Sequence, residues 1–180
     1  MWWYIFVTLP HIIYAVSYHY GNILIKYVPF TVFRDSSICY RGIFYPVTFY
    51  YGYKNIFNGF DVVDWFSPTP ILIGGSVLIT YGSVINYYAY KKLTVDGVYY
   101  ACEMINKCKR AEGFPYNCIK HPIYSGAISS VIGTGMIFGF DKNYQIRTEI
   151  CIPIGYLVML YLMSIYIEAL PSLVFKHKLA

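Results

Sequence analysis

Hydrophobic positions in this chain gather into long runs from which Asp, Glu, Lys and Arg are absent: Met1 to Ile25, Trp65 to Tyr90, His121 to Phe140 and Ile150 to Ile167. A helix needs about 20 apolar residues to cross roughly 30 Å of hydrocarbon, and these runs reach or approach that length. A fifth run, Gly42 to Tyr53, becomes long enough only by borrowing Ser36 to Arg41. Its arginine must then sit at an interface or be paired. The pattern predicts an all-α fold, a polytopic transmembrane helical bundle of about four to five membrane segments in one domain, 1–180. Met1 to Ile25 lacks a basic leader and is read as a retained first segment.

Composition agrees with lipid as the solvent: 57% of the residues are hydrophobic, 21% aromatic and 13% charged. Five segments also sort the charges. Lys26 to Arg41, Lys91 to Lys120 and the tail with Lys176 and Lys178 fall on one side and hold eleven of the 14 basic residues. The positive-inside rule puts the Lys91 to Lys120 loop and the C-terminus in the cytosol. A net charge of +5 distributed in this way points to anionic lipid headgroups and not to nucleic acid. Five cysteines with no CxxC pair, three of them (Cys102, Cys108, Cys118) facing the cytosol, argue against structural disulfides. Cys118 and His121 form a lone C-x-x-H, and no metal is expected. No GxGxxG, Walker, HExxH or GxSxG sequence is present, which removes support for dinucleotide-binding, NTPase, zincin or α/β-hydrolase chemistry.

Chemistry concentrates in the polar loop and at its borders. Val95 to Ile105 is expected to be helical with Asp96 as its N-cap, and Lys107 to Gly113 to be turn-like. His121-Pro122 reads as a helix start, because the residue before proline avoids the α region and proline suits the first helical position. The N–H groups of Ile123, Tyr124 and Ser125 would then face the loop side, where a carboxylate or phosphate could dock. A histidine that merely caps a helix is the plainer alternative. Gly126, Ser130 and Gly133 give that helix a smooth face, suited to helix packing or to a flat ligand. Gly74-Gly75 reads as a packing notch. Glu168 ends an uncharged run; it is either an inert interfacial carboxylate or, facing the bundle, a partner for an ammonium group or a proton. Glu103 is a weaker candidate of the same type. The 22 tyrosines include faces that attract quaternary ammonium and sulfonium cations.

The stretch FPYNCIKHPIYSG, Phe114 to Gly126, followed by Gly133, resembles the phospholipid N-methyltransferases of the phosphatidylethanolamine pathway. Its HPxYxG core is shared with the wider set of membrane methyltransferases, including isoprenylcysteine carboxyl methyltransferases. The likeness covers roughly Thr80 to Lys178 and, more faintly, Leu9-Pro10-His11. The family's Gly-x-Gly falls on Thr80-Tyr81-Gly82, where only the second glycine survives. Its Glu-Glu pair falls on Ile167-Glu168, where only the second carboxylate survives, and its Gly-Thr-Tyr-rich loop looks like Gly97-Val98-Tyr99-Tyr100. The resemblance implies S-adenosylmethionine as methyl donor and a phospholipid amine as acceptor. Gly82, Gly97, Asn117, His121, Gly126 and Glu168 become cofactor-binding candidates; His121, Tyr124 and Glu168 become catalytic ones. The endoplasmic reticulum is implied in the same way. An isoprenylcysteine-type acceptor, or a non-catalytic lipid-binding or scaffold role, remains an alternative.

Overall fold

Prolines and charges set the helix ends. In a computed structural model of the chain, which describes residues 2–56, 66–99, 101–105 and 111–170, the helices are α1 (Trp2–Leu24), α2 (Phe30–Ile56), α3 (Thr69–Val98), α4 (Ala101–Ile105), α5 (Pro122–Phe138) and α6 (Thr148–Ala169). No strand is found among the described residues; a single bridge joins Phe140 and Ile146 in the α5–α6 turn. α3 starts beside Pro68 and α5 at Pro122, where the missing proline N–H has no helical partner to lose. Pro153 falls in the second turn of α6, where it removes the N–H that would otherwise bond the Glu149 carbonyl.

Two helices, α3 and α6, combine the length and the apolar character needed to cross a membrane. α5 is apolar but has 17 residues, and α2 carries Arg34, Asp35, Arg41 and Lys54. The all-helical expectation therefore holds, with two helices among the described residues long and apolar enough to span where four to five segments were expected.

Close contacts fix helix direction. Gly75 meets Gly133 and Gly82 meets Gly126, so α3 and α5 run antiparallel. Their contact is the most extensive among the described helices. A Cβ on Gly75 would lie 2.7 Å from the Gly133 carbonyl oxygen, and one on Gly133 would lie 2.6 Å from that of Gly75. Glycine is what lets these backbones approach. α6 runs antiparallel to α5, with Gly135 against Ile154. α1 runs parallel to α6: Thr8 meets the Tyr156 hydroxyl, His11 Nδ1 lies 2.9 Å from Ser164 Oγ, and His19 Nε2 lies 3.0 Å from the Ile167 carbonyl oxygen. The C-terminal ends of α1, α3 and α6 and the N-terminal end of α5 are thus gathered together. Among the described residues, Lys26, Arg34, Lys91, Lys92 and Lys120 belong to the same end.

At 1.5 Å per residue, the 30 residues of α3 rise about 45 Å and the 17 of α5 about 25 Å. Because the glycine contacts match the first half of α3 to all of α5, the last three turns of α3 overshoot the start of α5 at the basic end. Thr94, at φ 62° and ψ 172°, breaks the helical path within that overshoot. The following turn carries Asp96, whose carboxylate accepts from Arg34 Nη1 at 2.8 Å. Asp96 is therefore an ion-pair partner of α2, and the N-cap reading is corrected: α4 begins only at Ala101. Phe30, Phe33, Ala101 and Met104 form a buried cluster under this end, joining α1, α2 and α4. Lys107, Cys108, Lys109, Arg110, Pro171, Lys176 and Lys178, and the side chains of Lys54, Cys102 and Glu103, lie outside the described residues.

Candidate active site

Where the basic ends converge, α1, α2, α3, α5 and α6 do not close. They leave a cavity of about 460 Å³, within the usual range of ligand pockets. Its depth is apolar, with Val7, Val131 and Leu157 in the wall, and its mouth carries Arg41, Lys120, His121 and Glu168. Seven of the described tyrosines line it: Tyr14, Tyr18, Tyr40, Tyr90, Tyr116, Tyr124 and Tyr161.

His121 and Glu168, 47 residues apart in sequence, meet because α5 starts where α6 ends. The Tyr124 hydroxyl donates to Glu168 Oε1 at 2.5 Å. Glu168 Oε2 lies 3.8 Å from His121 Nδ1, with the two side chains 17% and 22% exposed. That exposure leaves the carboxylate within reach of a ligand while protein groups fix its direction. His121 does occupy the N-cap of α5, and its carbonyl accepts from the Ser125 N–H at 2.9 Å. Its side chain makes no capping hydrogen bond. Two expectations change accordingly: the Ser125 N–H is engaged within the helix, and the imidazole turns toward Glu168 instead of capping.

The other sequence candidates separate into two groups. Gly97 lines the cavity beside Leu93 and Val98 on the overshooting part of α3. Gly82 and Gly126 instead face each other at the α3–α5 contact, where an added Cβ on Gly126 would lie 2.7 Å from the Gly82 carbonyl oxygen. Asn117 is exposed and accepts from the Cys118 thiol at 3.3 Å. Among the described residues no group of three or more His, Cys, Asp or Glu is placed to hold a metal ion.

Residues that the sequence did not mark as site candidates complete the wall. Arg41 sits with its guanidinium carbon 4.9 Å from the Tyr14 ring centre and 5.2 Å from that of Tyr99. Its presence in an apolar run was the available signal, and the ring contacts are part of the pairing such a residue requires. Tyr161 stacks at an angle with Tyr124 and with His11. The Tyr116 hydroxyl is buried without a hydrogen-bond partner. Burial, with Tyr90 nearby, pushes this phenol up to about 12, so it stays a neutral donor. The side-chain amide oxygen of Asn86 is likewise buried and unpartnered.

A family model described as phospholipid methyltransferase matches residues 70–169, more than half of the 180-residue chain. The chain belongs to the phospholipid methyltransferase family. The matched span begins at the second residue of α3 and ends at the last of α6. It therefore contains Gly97, His121, Tyr124 and Glu168, whereas His11, Tyr14 and Arg41 reach the same cavity from outside it. No curated protein and no solved structure matches the chain.

Proposed function

We propose that the protein transfers methyl groups from S-adenosylmethionine to the amine headgroup of phosphatidylethanolamine or its mono- and dimethyl derivatives, toward phosphatidylcholine. The observation that carries this reading is the cavity itself, which combines an oriented carboxylate, a tyrosine-rich wall and an apolar depth at the basic end of the bundle. A methyl donor that comes from water and a lipid amine that cannot leave the membrane must meet at such a mouth.

S-adenosylmethionine, when bound, supplies a methyl group on a cationic sulfur. The donor set suits it. Tyrosine faces attract a sulfonium by about 0.5–2 kcal/mol each, and the orphaned Tyr116 hydroxyl offers a hydrogen bond that the protein itself does not use. Glu168, held by Tyr124, binds the cationic amino end of the cofactor or of the lipid. His121 and the first turn of α5 receive a carboxylate or phosphate, and Tyr124 lines the path between the reactants. The lipid ammonium must lose a proton before its nitrogen can attack, and His121 and Glu168 are placed to take it up. Alignment of the two reactants in one cavity accounts for much of the acceleration, since positioning can contribute several kcal/mol. Gly97 lets the chain pass close to the cofactor. Gly82 and Gly126 act at a distance, by holding α3 against α5, and Asn117 belongs to the mouth's rim.

The same reading implies five membrane segments, with the 91–120 loop and the C-terminus in the cytosol, and residence in the endoplasmic reticulum. Helix directions support it, because α1, α3 and α6 end where α5 begins.

The test is a lipid profile. Expressed in a host whose membranes hold phosphatidylethanolamine but no phosphatidylcholine, the protein should produce methylated headgroups visible by mass spectrometry. Unchanged lipids in cells that contain folded protein would defeat the proposal. A second expectation concerns Tyr116→Phe, which removes an unsatisfied buried oxygen. Thermal stability should hold or rise, by up to about 1–3 kcal/mol, while S-adenosylmethionine affinity measured by titration falls several-fold. Equal affinity would show that the hydroxyl faces no ligand.

A further inference from the structure

The family match stops at the start of α3, yet about a third of the cavity wall comes from α1 and α2. A second cavity, of about 270 Å³, lies between these two helices. Ile13, Val28, Val32, Phe33 and Ser36 are in its wall, and it shares Pro10, Tyr14 and Tyr40 with the main cavity. The two spaces are therefore neighbours across a partition of one proline and two tyrosines. The smaller space has exposed walls: Val32 is 53% exposed and Ile13 39%. Arg41 stands at the junction, one residue after Tyr40, with its guanidinium beside the Tyr14 ring.

We infer that α1 and α2 form the lipid-acceptor half of the site, with Arg41 binding the phosphate of a phospholipid and the α1–α2 groove taking one of its acyl chains. This rests on the proposed lipid methylation and names how that acceptor is held. Three properties select the occupant. The groove is apolar and opens through exposed Val32 and Ile13, which suits a hydrocarbon chain arriving from the side. The cation at its inner end suits an anion joined to that chain. Arginine also fits phosphate better than lysine would, because a planar guanidinium beside the Tyr14 and Tyr99 rings still holds several N–H donors in one plane, more than one of which can serve an oxyanion. A headgroup anchored by its phosphate at Arg41 would extend its amine into the cavity that holds Glu168. A neutral lipid or a bare hydrocarbon would use the groove and ignore the arginine.

Photolabelling of the full-length protein in lipid nanodiscs tests this without relying on turnover. Phosphatidylethanolamine with a diazirine midway along one acyl chain should label residues of α1 near Ile13 and of α2 near Val32 and Ser36, and unlabelled phosphatidylethanolamine should compete. Ser36→Trp, which fills the groove, should cut that labelling at least fivefold. Arg41→Gln should reduce labelling by the phospholipid about tenfold, the loss of a charge-assisted hydrogen bond. It should leave labelling by a diacylglycerol with the same diazirine chain within twofold. Labelling confined to other helices, or phospholipid and diacylglycerol falling equally in Arg41→Gln, would overturn the inference, and the wild-type map decides even where a variant fails to fold. Groove labelling without methyl transfer would sink the proposed reaction alone; methyl transfer without groove labelling would sink the acceptor assignment alone.

Discussion

Glu168→Gln should lower kcat/KM for methyl transfer about 100-fold while leaving the thermal midpoint in detergent within about 2 °C of wild type. The amide oxygen of glutamine can still accept from the Tyr124 hydroxyl, so the contact that orients the side chain survives. What disappears is the negative charge beside His121, 3.8 Å away. Hydrogen bonds to a charged group are worth roughly 1.5–3 kcal/mol, and each 1.4 kcal/mol is a factor of ten, which sets the expected size. Steady-state kinetics also separates the two tasks assigned to this carboxylate. A rise confined to the KM for S-adenosylmethionine identifies it as the holder of the cofactor's cationic end. A fall in kcat at saturating cofactor identifies it with proton uptake from the lipid ammonium. Unchanged kcat/KM in folded protein would remove Glu168 from the site.

The second large effect falls on stability. Gly82→Ala puts a methyl group inside contact distance of the Gly126 carbonyl oxygen and the Ser130 hydroxyl, and 2.9 Å from the Ser130 backbone nitrogen. Neither helix backbone can yield locally, since each is held by its own hydrogen bonds. Overpacking of this kind costs about 3 kcal/mol, and for a chain of this length that lowers the midpoint by roughly 10 °C. Activity should fall with it, because α3 carries Gly97 and α5 carries His121 on different walls of the same cavity. Gly155→Ala supplies the contrast. A Cβ there meets nothing within 4 Å, so the change should be neutral or stabilise by up to about 1 kcal/mol, alanine being the better helix former. Equal midpoints for Gly82→Ala and wild type would mean that the α3–α5 contact is looser than its geometry indicates.

These two residues also mark how far the sequence could be read. Glu168 was legible because a lone carboxylate at the end of an apolar run has few reasons to be there. His121-Pro122 was legible because proline constrains its neighbour and suits a helix start whatever surrounds it. Gly126 and Gly133 were legible as a smooth face with Ser130, and Gly82 only as the second glycine of the family's Gly-x-Gly. Whether such a face meets a ligand or another helix depends on its partner, and Gly82 lies 44 residues before Gly126 in the chain. Asp96 went astray for the opposite reason. Its local capping signal was real, but an ion pair with Arg34, 62 residues away, took the carboxylate.

Most of the cavity was hidden by the same distance effect. His11 reaches Ser164 across 153 positions, and Arg41 reaches Tyr99 from another helix. Periodicity within one segment cannot announce such meetings. The membrane count illustrates a further limit. Charge-free runs mark where a helix can enter lipid, yet α2 keeps Arg34, Asp35 and Arg41 in its first half, and α5 stops at 17 residues. Length and composition therefore qualify α3 and α6 for a membrane crossing and leave the remaining helices to be judged by the company they keep.

The central claim, that methyl donor and lipid amine meet at this mouth, is tested most directly by transfer of label from S-adenosylmethionine in membranes containing the protein. Phosphatidylethanolamine, its monomethyl form and its dimethyl form would be offered in parallel, with Glu168→Gln alongside. The account predicts labelled lipid from at least one acceptor with wild type and about a hundredth of that rate with the variant. Absence of labelled lipid from all three acceptors, with the cofactor still bound, would contradict it.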